Sequence, residues 1–355
     1  MAPPASVHRI ELPRLISVGE GALRDLVAAL RIANVGKGDR VVVVTGPHVW
    51  ARFGDRLREA LGDSVELVTV TVTDSSIDTA ERVASLVSEG HVAAVIGFGG
   101  GKSIDVGKYA AFKNSVPFIS TPTSPSHDGI TSPFTSLKGV GRPYSVKTRT
   151  PIAVIADIDV ISSAPIRLIR AGAGDLVAKL TAVRDWRLAH RLKGEYYGEY
   201  AAKLALLSAK HVIEYAGSIG RGSKEAIRVL VEGLISSGVA MCIAGSTRPA
   251  SGSEHLFSHA LDILAPGRAL HGEQVALGTI MMMYLHGGNW RKVKTTLKKL
   301  GLPTRARDLG IPEETVIEAL TVMHRIRPER YTIVGESGLT REAAERLAKI
   351  TGVIE

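Results

Sequence analysis

Short apolar runs recur along the first half of the chain, each followed by a segment of helical spacing, and this alternation restricts the fold more than any other feature. Arg40 to Thr45 (RVVVVT), Val65 to Val72, Val92 to Ile96, Pro117 to Ser120 and Pro151 to Ile155 read as strands, with Ile10 to Val18 as a first one. Gly21 to Ile32, Trp50 to Leu61 and a segment capped by Ser76 or Asp78 and running to Ser88 read as helices between them. Such alternation predicts a parallel sheet wrapped by helices, with any ligand at the carboxyl ends of its strands. Phe134 to Thr150, with Gly139, Gly141 and Pro143, reads as a hairpin inserted before the last strand. From about Ile166 the pattern is helical to the end, through Tyr197 to Tyr215, Lys224 to Ser246, Gly272 to His286, Glu313 to Ile326 and Thr340 to Ile350. Two domains follow, an α/β unit over residues 1–165 and an all-helical unit over 166–355.

Gly97 to Ser103 stands where the rule for open sheets puts a ligand. Consecutive Gly99, Gly100 and Gly101 let backbone N–H groups approach an anion, and a helix starting near Ser103 adds the positive end of its dipole. Neither familiar phosphate motif matches. A Walker A loop requires glycine where Ile96 stands, and the G-x-G-x-x-G fingerprint fails at Lys102 and Ile104.

In SGSEHLFSHALDIL, Ser251 and Glu254 have capping-box spacing, which starts a helix and sets His255 and His259 four apart on one face. Such a pair can share one metal, or one can bind it while the other faces substrate. His271 opens the next helix, and Asp175 follows an AGAG turn at the start of another. One carboxylate and two imidazoles leave an open position on a tetrahedral divalent ion. Spacing across separate helices leaves open both this site and the plainer reading of core and surface histidines.

Gly99-Gly100-Gly101-Lys102-Ser103-Ile104-Asp105, Thr121-Pro122-Thr123-Ser124-Pro125-Ser126-His127-Asp128-Gly129, Gly174-Asp175-Leu176, Arg248-Pro249-Ala250-Ser251-Gly252-Ser253-Glu254-His255 and His271-Gly272-Glu273 together resemble the sn-glycerol-1-phosphate dehydrogenases. That family groups with glycerol dehydrogenases, iron-containing alcohol dehydrogenases and 3-dehydroquinate synthases. The resemblance implies a dehydroquinate synthase-like fold, a Rossmann-like parallel-sheet domain followed by a helical one. It implies that Gly99, Gly100, Gly101, Lys102 and Ser103 hold the pyrophosphate of NAD or NADP, with Thr121, Thr123, Ser124 and Ser132 also near the cofactor. It implies that Asp175, His255 and His271 ligate Zn2+, that Asp128 and His259 meet the substrate, and that the enzyme interconverts dihydroxyacetone phosphate and sn-glycerol 1-phosphate for archaeal ether phospholipids. Another polyol dehydrogenase and a dehydroquinate synthase-like lyase are the rivals within that fold. Lys147, Arg149, Lys179 and Arg248 are the cations considered for the substrate phosphate.

Composition agrees with a phosphorylated small-molecule substrate. Lys and Arg total 44 against 35 Asp and Glu, a net charge of +9 that favours anionic partners. The basic cluster Arg291, Lys292, Lys294, Lys298 and Lys299 lies opposite Val293, Leu297 and Leu300 on one helix and lacks the aromatic interleaving of a strand-binding surface, so no nucleic acid is expected. Met281-Met282-Met283 reads as helix core. The single Cys242 excludes an internal disulfide and suits a reducing cytosol. The start of the chain shows no leader pattern, and Gly233 to Thr247 falls short of the ~20 apolar residues a membrane span needs, so a cytoplasmic homo-oligomer without membrane insertion is expected. Scarce amides, only Asn34, Asn114, Asn289 and Gln274, resemble the thermolabile-residue depletion of thermophilic proteins.

Overall fold

The computed structural model describes residues 8–139 and 142–355; the first seven residues, on which the expectation of no leader pattern partly rests, and Gly141 of the hairpin lie outside the described residues. Six strands form one parallel sheet: β1 (Leu15–Gly19), β2 (Arg40–Thr45), β3 (Glu66–Thr71), β4 (Ala94–Gly99), β5 (Phe118–Pro122) and, after the insertion, β8 (Ala153–Asp157). Their order is β1-β8-β5-β4-β2-β3. The insertion is the antiparallel pair β6 (Phe134–Gly139) and β7 (Arg142–Lys147), the hairpin expected from its glycines.

The valines of β2 show why this stretch must be a central strand. Val41 and Val43 enter one core with Leu26, Leu30 and Leu57, while Val42 and Val44 enter another with Val83, Val87 and Ile104. Successive side chains point to opposite faces, so an unbroken apolar run fits only a sheet covered on both sides. Helices α1 (Leu26–Ile32) and α2 (Pro47–Leu61) cover the first face; α3 (Ile77–Glu89) and α4 (Gly101–Lys113) cover the second. Each buried valine contributes about 1.5–3 kcal/mol. Ser76 caps α3 by accepting the Thr79 N–H at 3.2 Å.

From β2 the chain moves outward to β3 and returns to β4 on the other side of β2, so the direction of winding reverses between β2 and β4. A crevice opens at such a reversal outside the carboxyl ends of the strands. Gly46 and Gly99 border it here: a Cβ on Gly99 would lie 3.8 Å from the Gly46 nitrogen.

After β8 the described chain is helical: α5 (Ile158–Ile161), α6 (Ile166–Val177), α7 (Lys179–Lys193), α8 (Glu199–Glu214), α9 (Ala216–Gly220), α10 (Lys224–Ala244), α11 (Ser253–Leu264), α12 (His271–Leu285), α13 (Trp290–Leu300), α14 (Glu313–Val322) and α15 (Arg341–Ile350), with short 3-10 turns. Their shared core takes in Val154 and Ala156 of β8, which ties it to the sheet. Met281, Met282 and Met283 lie in that core. Helix α10 is longer than its charge-free stretch and is long and apolar enough by composition to cross a membrane; 67% of its most apolar window is buried within the fold, as for a core helix.

Two local expectations are corrected. The AGAG segment is not a turn but the interior of α6, with Asp175 near that helix's end rather than at a start. Its glycines serve close packing: a Cβ on Gly172 would meet the Pro125 carbonyl oxygen at 1.7 Å, and one on Gly174 would meet that of Gly272 at 2.5 Å. The backbone of α6 therefore touches both the loop after β5 and the first turn of α12. The capping box at Ser251 also does not form, since α11 begins at Ser253 with no side-chain cap from its own N-cap Gly252. Asp185 of α7 supplies the acceptor instead, taking the Ser253 N–H at 2.7 Å and its hydroxyl at 2.6 Å.

Candidate active site

The glycine cradle is built from the end of β4 and the start of α4. Strand β4 runs through Gly97 to Gly99, and α4 begins at Gly101, earlier than the expected start near Ser103. No side chain caps α4, so its first N–H groups face the crevice. A Cβ at Gly99 would strike Ser103 Oγ at 2.5 Å, and one at Gly100 would press on Ser124 Oγ at 3.1 Å. Thr123 is fixed beside them by donating its N–H to the Gly99 carbonyl at 2.9 Å. Thr121 Oγ1 is buried without a partner among the described residues, an orphan group at the strand end. Ser132 is buried, its hydroxyl bonded within its own turn to Phe134. The Lys102 ammonium turns aside to the Thr73 carbonyl at 2.8 Å, leaving its backbone to the cradle. Close backbone, a free helix N-terminus and orphan hydroxyls fit a dinucleotide pyrophosphate.

The second cluster gathers Asp175 from α6, His255 from α11 and His271 from α12. One ligand atom from each lies within 4.8 Å of the others. Hydrogen bonds behind the rings set their tautomers. His255 Nδ1–H donates to Glu254 Oε1 at 2.8 Å, turning Nε2 toward Asp175 Oδ1 at 3.4 Å. Ser258 Oγ gives its hydrogen to Gln274 Oε1 at 2.7 Å, so it accepts from His271 Nδ1 at 3.1 Å, and the other nitrogen of His271 keeps its lone pair. Histidines held from behind in this way present a lone pair for metal ligation. Two imidazoles and one carboxylate, with a position left over, are a donor set that suits zinc.

Charge follows the same pattern. Burial pushes the Asp175 carboxyl up, but the Lys179 ammonium and the His255 bond more than reverse this and hold it well below the usual carboxylate range. Burial pushes His255 down, and the bonds to Asp175 and Glu254 carry it above its ordinary value. Burial and the charge of His255 push His271 down to about 3. The His271 lone pair is thus available at neutral pH.

Asp128 and His127 join the two clusters. The Asp128 N–H donates to Asp175 Oδ2 at 3.1 Å, while its carboxylate pairs with Lys179 at 2.8 Å and accepts from Ser237 Oγ at 2.7 Å. The His127 ring is packed against Gly101 and Gly129, where an added Cβ would meet it at 2.3 Å in each case, and its Nδ1 accepts the Gly129 N–H at 2.9 Å. One short segment therefore touches the cradle and the ligand cluster at once. His259 lies beside both histidines of this cluster, its ring centre 6.5 Å from that of His255 and 6.1 Å from that of His271. Its Nδ1 is buried without a partner among the described residues. Burial, with His271, His255, Arg327 and Arg330 nearby, holds His259 well below its ordinary value.

Several contributors were not singled out from the sequence. Glu254, expected as a cap, is fully buried behind His255. Ser258 and Gln274 orient His271 from two different helices, and nothing in local spacing marks them. Lys108, one turn beyond the cradle, is buried and donates to the carbonyls of Gly129 (2.5 Å), Ser132 (2.9 Å) and Phe134 (2.8 Å). Two of the cations considered for phosphate are already engaged, Lys179 by Asp128 and Asp175, and Arg248 by Glu195 and the Tyr331 carbonyl. Lys147 and Arg149 are exposed.

Comparison with known proteins gives this geometry its context. The chain is 66% identical over 348 residues to the glycerol-1-phosphate dehydrogenase (NAD(P)+) of Hyperthermus butylicus, covering 98% of this chain and 99% of that protein. It is 56% identical over 350 residues to the enzyme of the same name from Aeropyrum pernix, with the same coverage. The chain belongs to the glycerol-1-phosphate dehydrogenase family. It is an NAD(P)-dependent oxidoreductase acting on a small phosphorylated substrate. The pattern described as iron-containing alcohol dehydrogenase matches residues 17–165. Among solved structures, a probable glycerol dehydrogenase from Sinorhizobium meliloti superposes with a TM-score of 0.80 at 20% identity over 98% of this chain and all of the other. Glycerol dehydrogenase from Schizosaccharomyces pombe gives 0.79 at 21%, over 98% and 91%. At such identities these structures establish that this glycerol-1-phosphate dehydrogenase family member has the iron-alcohol-dehydrogenase, dehydroquinate synthase-like fold.

Proposed function

We propose that this chain catalyses the zinc-dependent interconversion of dihydroxyacetone phosphate and sn-glycerol 1-phosphate, supplying the glycerol backbone of archaeal ether phospholipids. The observation that carries the reading is the convergence of Asp175, His255 and His271, with both imidazoles held from behind, next to a segment that also touches the glycine cradle. Residues 1–165 hold the cofactor and 166–355 the metal and substrate. Gly99, Gly100, Gly101, Lys102 and Ser103 hold the pyrophosphate through backbone, and Thr121, Thr123, Ser124 and Ser132 line the rest of the cofactor's path.

Asp175, His255 and His271 would hold zinc, which when bound supplies a Lewis acid for the carbonyl or hydroxyl oxygen. The nicotinamide supplies or takes the hydride. The rest is done by the chain. Lys179 keeps Asp175 and Asp128 in place from a fully buried position, so the carboxylates do not drift apart when the site is empty of substrate. His259 is neutral near pH 7, and its unpartnered Nδ1 can bond a substrate oxygen; Asp128 can bond a hydroxyl from the opposite side. The α6 and α12 backbones, packed closely without side chains at Gly172, Gly174 and Gly272, exclude water from behind. The proposal includes a cytoplasmic homo-oligomer, which light scattering on the purified protein tests.

Zinc-loaded protein given dihydroxyacetone phosphate and NADH is expected to consume one NADH per product, and chiral analysis should return the sn-1 phosphate. A glycerol-type dehydrogenase would instead prefer the unphosphorylated triose, and a lyase would retain its reduced cofactor; either result, or the sn-3 product, overturns the reading.

A further inference from the structure

Arg327 and Arg330 lie near His259, with Arg248 close to both, and among the described residues only Arg248 is bonded to a carboxylate. Arg248 forms a two-pronged pair with Glu195. Arg330 donates to neutral acceptors, the Ser251 carbonyl at 2.5 Å and Thr247 Oγ1 at 2.6 Å. Arg327 makes no side-chain hydrogen bond or ion pair among the described residues, although it is partly buried. Its carbonyl accepts the Arg330 N–H at 2.9 Å, closing a turn over Pro328 and Glu329 that keeps the two arginines close; Glu329 itself is exposed. This turn follows the 3-10 segment Met323–Arg325, which packs on α11, the helix of His255 and His259.

Glu329 offsets part of the charge on both, and Glu195 part of that on Arg330, but among the described residues neither guanidinium is bonded to a carboxylate. Partly burying two guanidinium groups without a paired anion is costly unless a bound anion completes the site. Mutual repulsion shows in Arg330, which burial and then Arg327 and Arg248 push down to about 9. A phosphate dianion carries two negative charges and planar sets of acceptors that match the guanidinium fork. We propose that Arg327 and Arg330 together form the seat for the substrate's phosphate, on the His259 side of the site. This assignment rests on the proposed function and names the group that selects phosphorylated over plain trioses. Arg248, locked to Glu195 and to the Tyr331 carbonyl, is a positioning residue that holds the next segment of chain rather than a phosphate ligand.

Arg327→Gln is the sharpest test, because Arg327 holds nothing else in place. The ratio of kcat/KM for dihydroxyacetone phosphate over dihydroxyacetone should fall about 30–100-fold, the worth of losing one charge-assisted bidentate contact, mainly through KM. Arg327→Lys should recover part of it, and the exposed Arg149→Gln should leave the ratio as in wild type. Inorganic phosphate should raise the Tm of the wild-type protein and shift that of Arg327→Gln much less, by ligand linkage. An unchanged ratio in Arg327→Gln, with phosphate still stabilising the variant as it does the wild type, overturns the assignment. If the wild type takes up phosphate through Arg327 but reduces no triose phosphate, the seat stands and the proposed reaction falls. Arg330→Gln, which also frees the Thr247–Ser251 loop, is read through the same phosphate-induced shift, and a wild-type shift there counts against a shared seat.

Discussion

Replacing Glu254 with glutamine removes a single charge from behind His255 and almost no volume. The carboxylate accepts three hydrogen bonds: Gly252 N–H at 2.6 Å, His255 Nδ1–H at 2.8 Å and the Thr181 hydroxyl at 2.7 Å. A glutamine carbonyl at the Oε1 position keeps the first two. Its amide then faces Thr181, whose hydroxyl can turn its hydrogen to the Ala178 carbonyl at 3.0 Å and accept. The geometry survives, and what disappears is the negative charge that makes the imidazole a better donor. Loss of such a partner weakens metal affinity about 10–100-fold, which is about 1.4–2.7 kcal/mol. Glu254→Ala is the contrasting case. It strands the Gly252 and His255 donors in a buried place at about 1–3 kcal/mol each, a large share of the roughly 5–15 kcal/mol that holds a domain folded. Competition between apo-protein and a chelator for Zn2+ measures the affinity, and thermal melts of the apo-proteins measure the stability. The expected pattern is weak metal binding with near-normal apo stability for glutamine, and loss of both for alanine. Zinc affinity within twofold of wild type in Glu254→Gln would refute the argument that this carboxylate tunes the ligand.

Three further outcomes follow from the same contacts. His271→Ala should lose metal and activity together while the apo-protein keeps its circular dichroism spectrum, since Ser258 is the ring's only hydrogen-bond partner among the described residues; full activity in a metal-free preparation would contradict the zinc proposal. Gly100→Val should raise the Michaelis constant for NAD(P)H several-fold with little change in melting temperature, because the added carbon presses toward Ser124 Oγ at 3.1 Å and into the anion's approach. Lys108→Met should destabilise by about 3–5 kcal/mol in chemical denaturation, the usual cost of removing one side of a buried charged network, since it abandons three carbonyls and the buried Asp105 beside them.

Much of the architecture was legible in the chain itself. RVVVVT reads as a strand covered on both faces because four valines in a row leave no polar face, and Val41 to Val44 do divide between two cores. The strand-to-helix turn at Gly99 to Gly101 was legible from consecutive glycines after a strand, although it matches neither familiar phosphate motif. The helix boundaries at the site were not: Ser251 and Glu254 have the spacing of a local cap, yet the helix starts at Ser253, whose N–H and hydroxyl both go to Asp185, distant in sequence. Local spacing reports which bonds are available, and a buried acceptor from another helix can win them.

The sequence by itself determined the strand-helix alternation, the helical second half and the residue types that can bind an anion or a divalent ion, because periodicity and backbone freedom are properties of short segments. Only the tertiary structure decided which of those residues meet. Bare α6 glycines bring Asp175 against the loop of Asp128 and the first turn of His271, by backbone contacts no local rule foretells. It also decided which cations are bonded to carboxylates: Lys179 and Arg248 are, while Arg327 and Arg330, unremarkable in the chain, stand near His259 with no carboxylate bonded to either among the described residues. Charge balance is a property of a neighbourhood, and a neighbourhood exists only once the helices have packed.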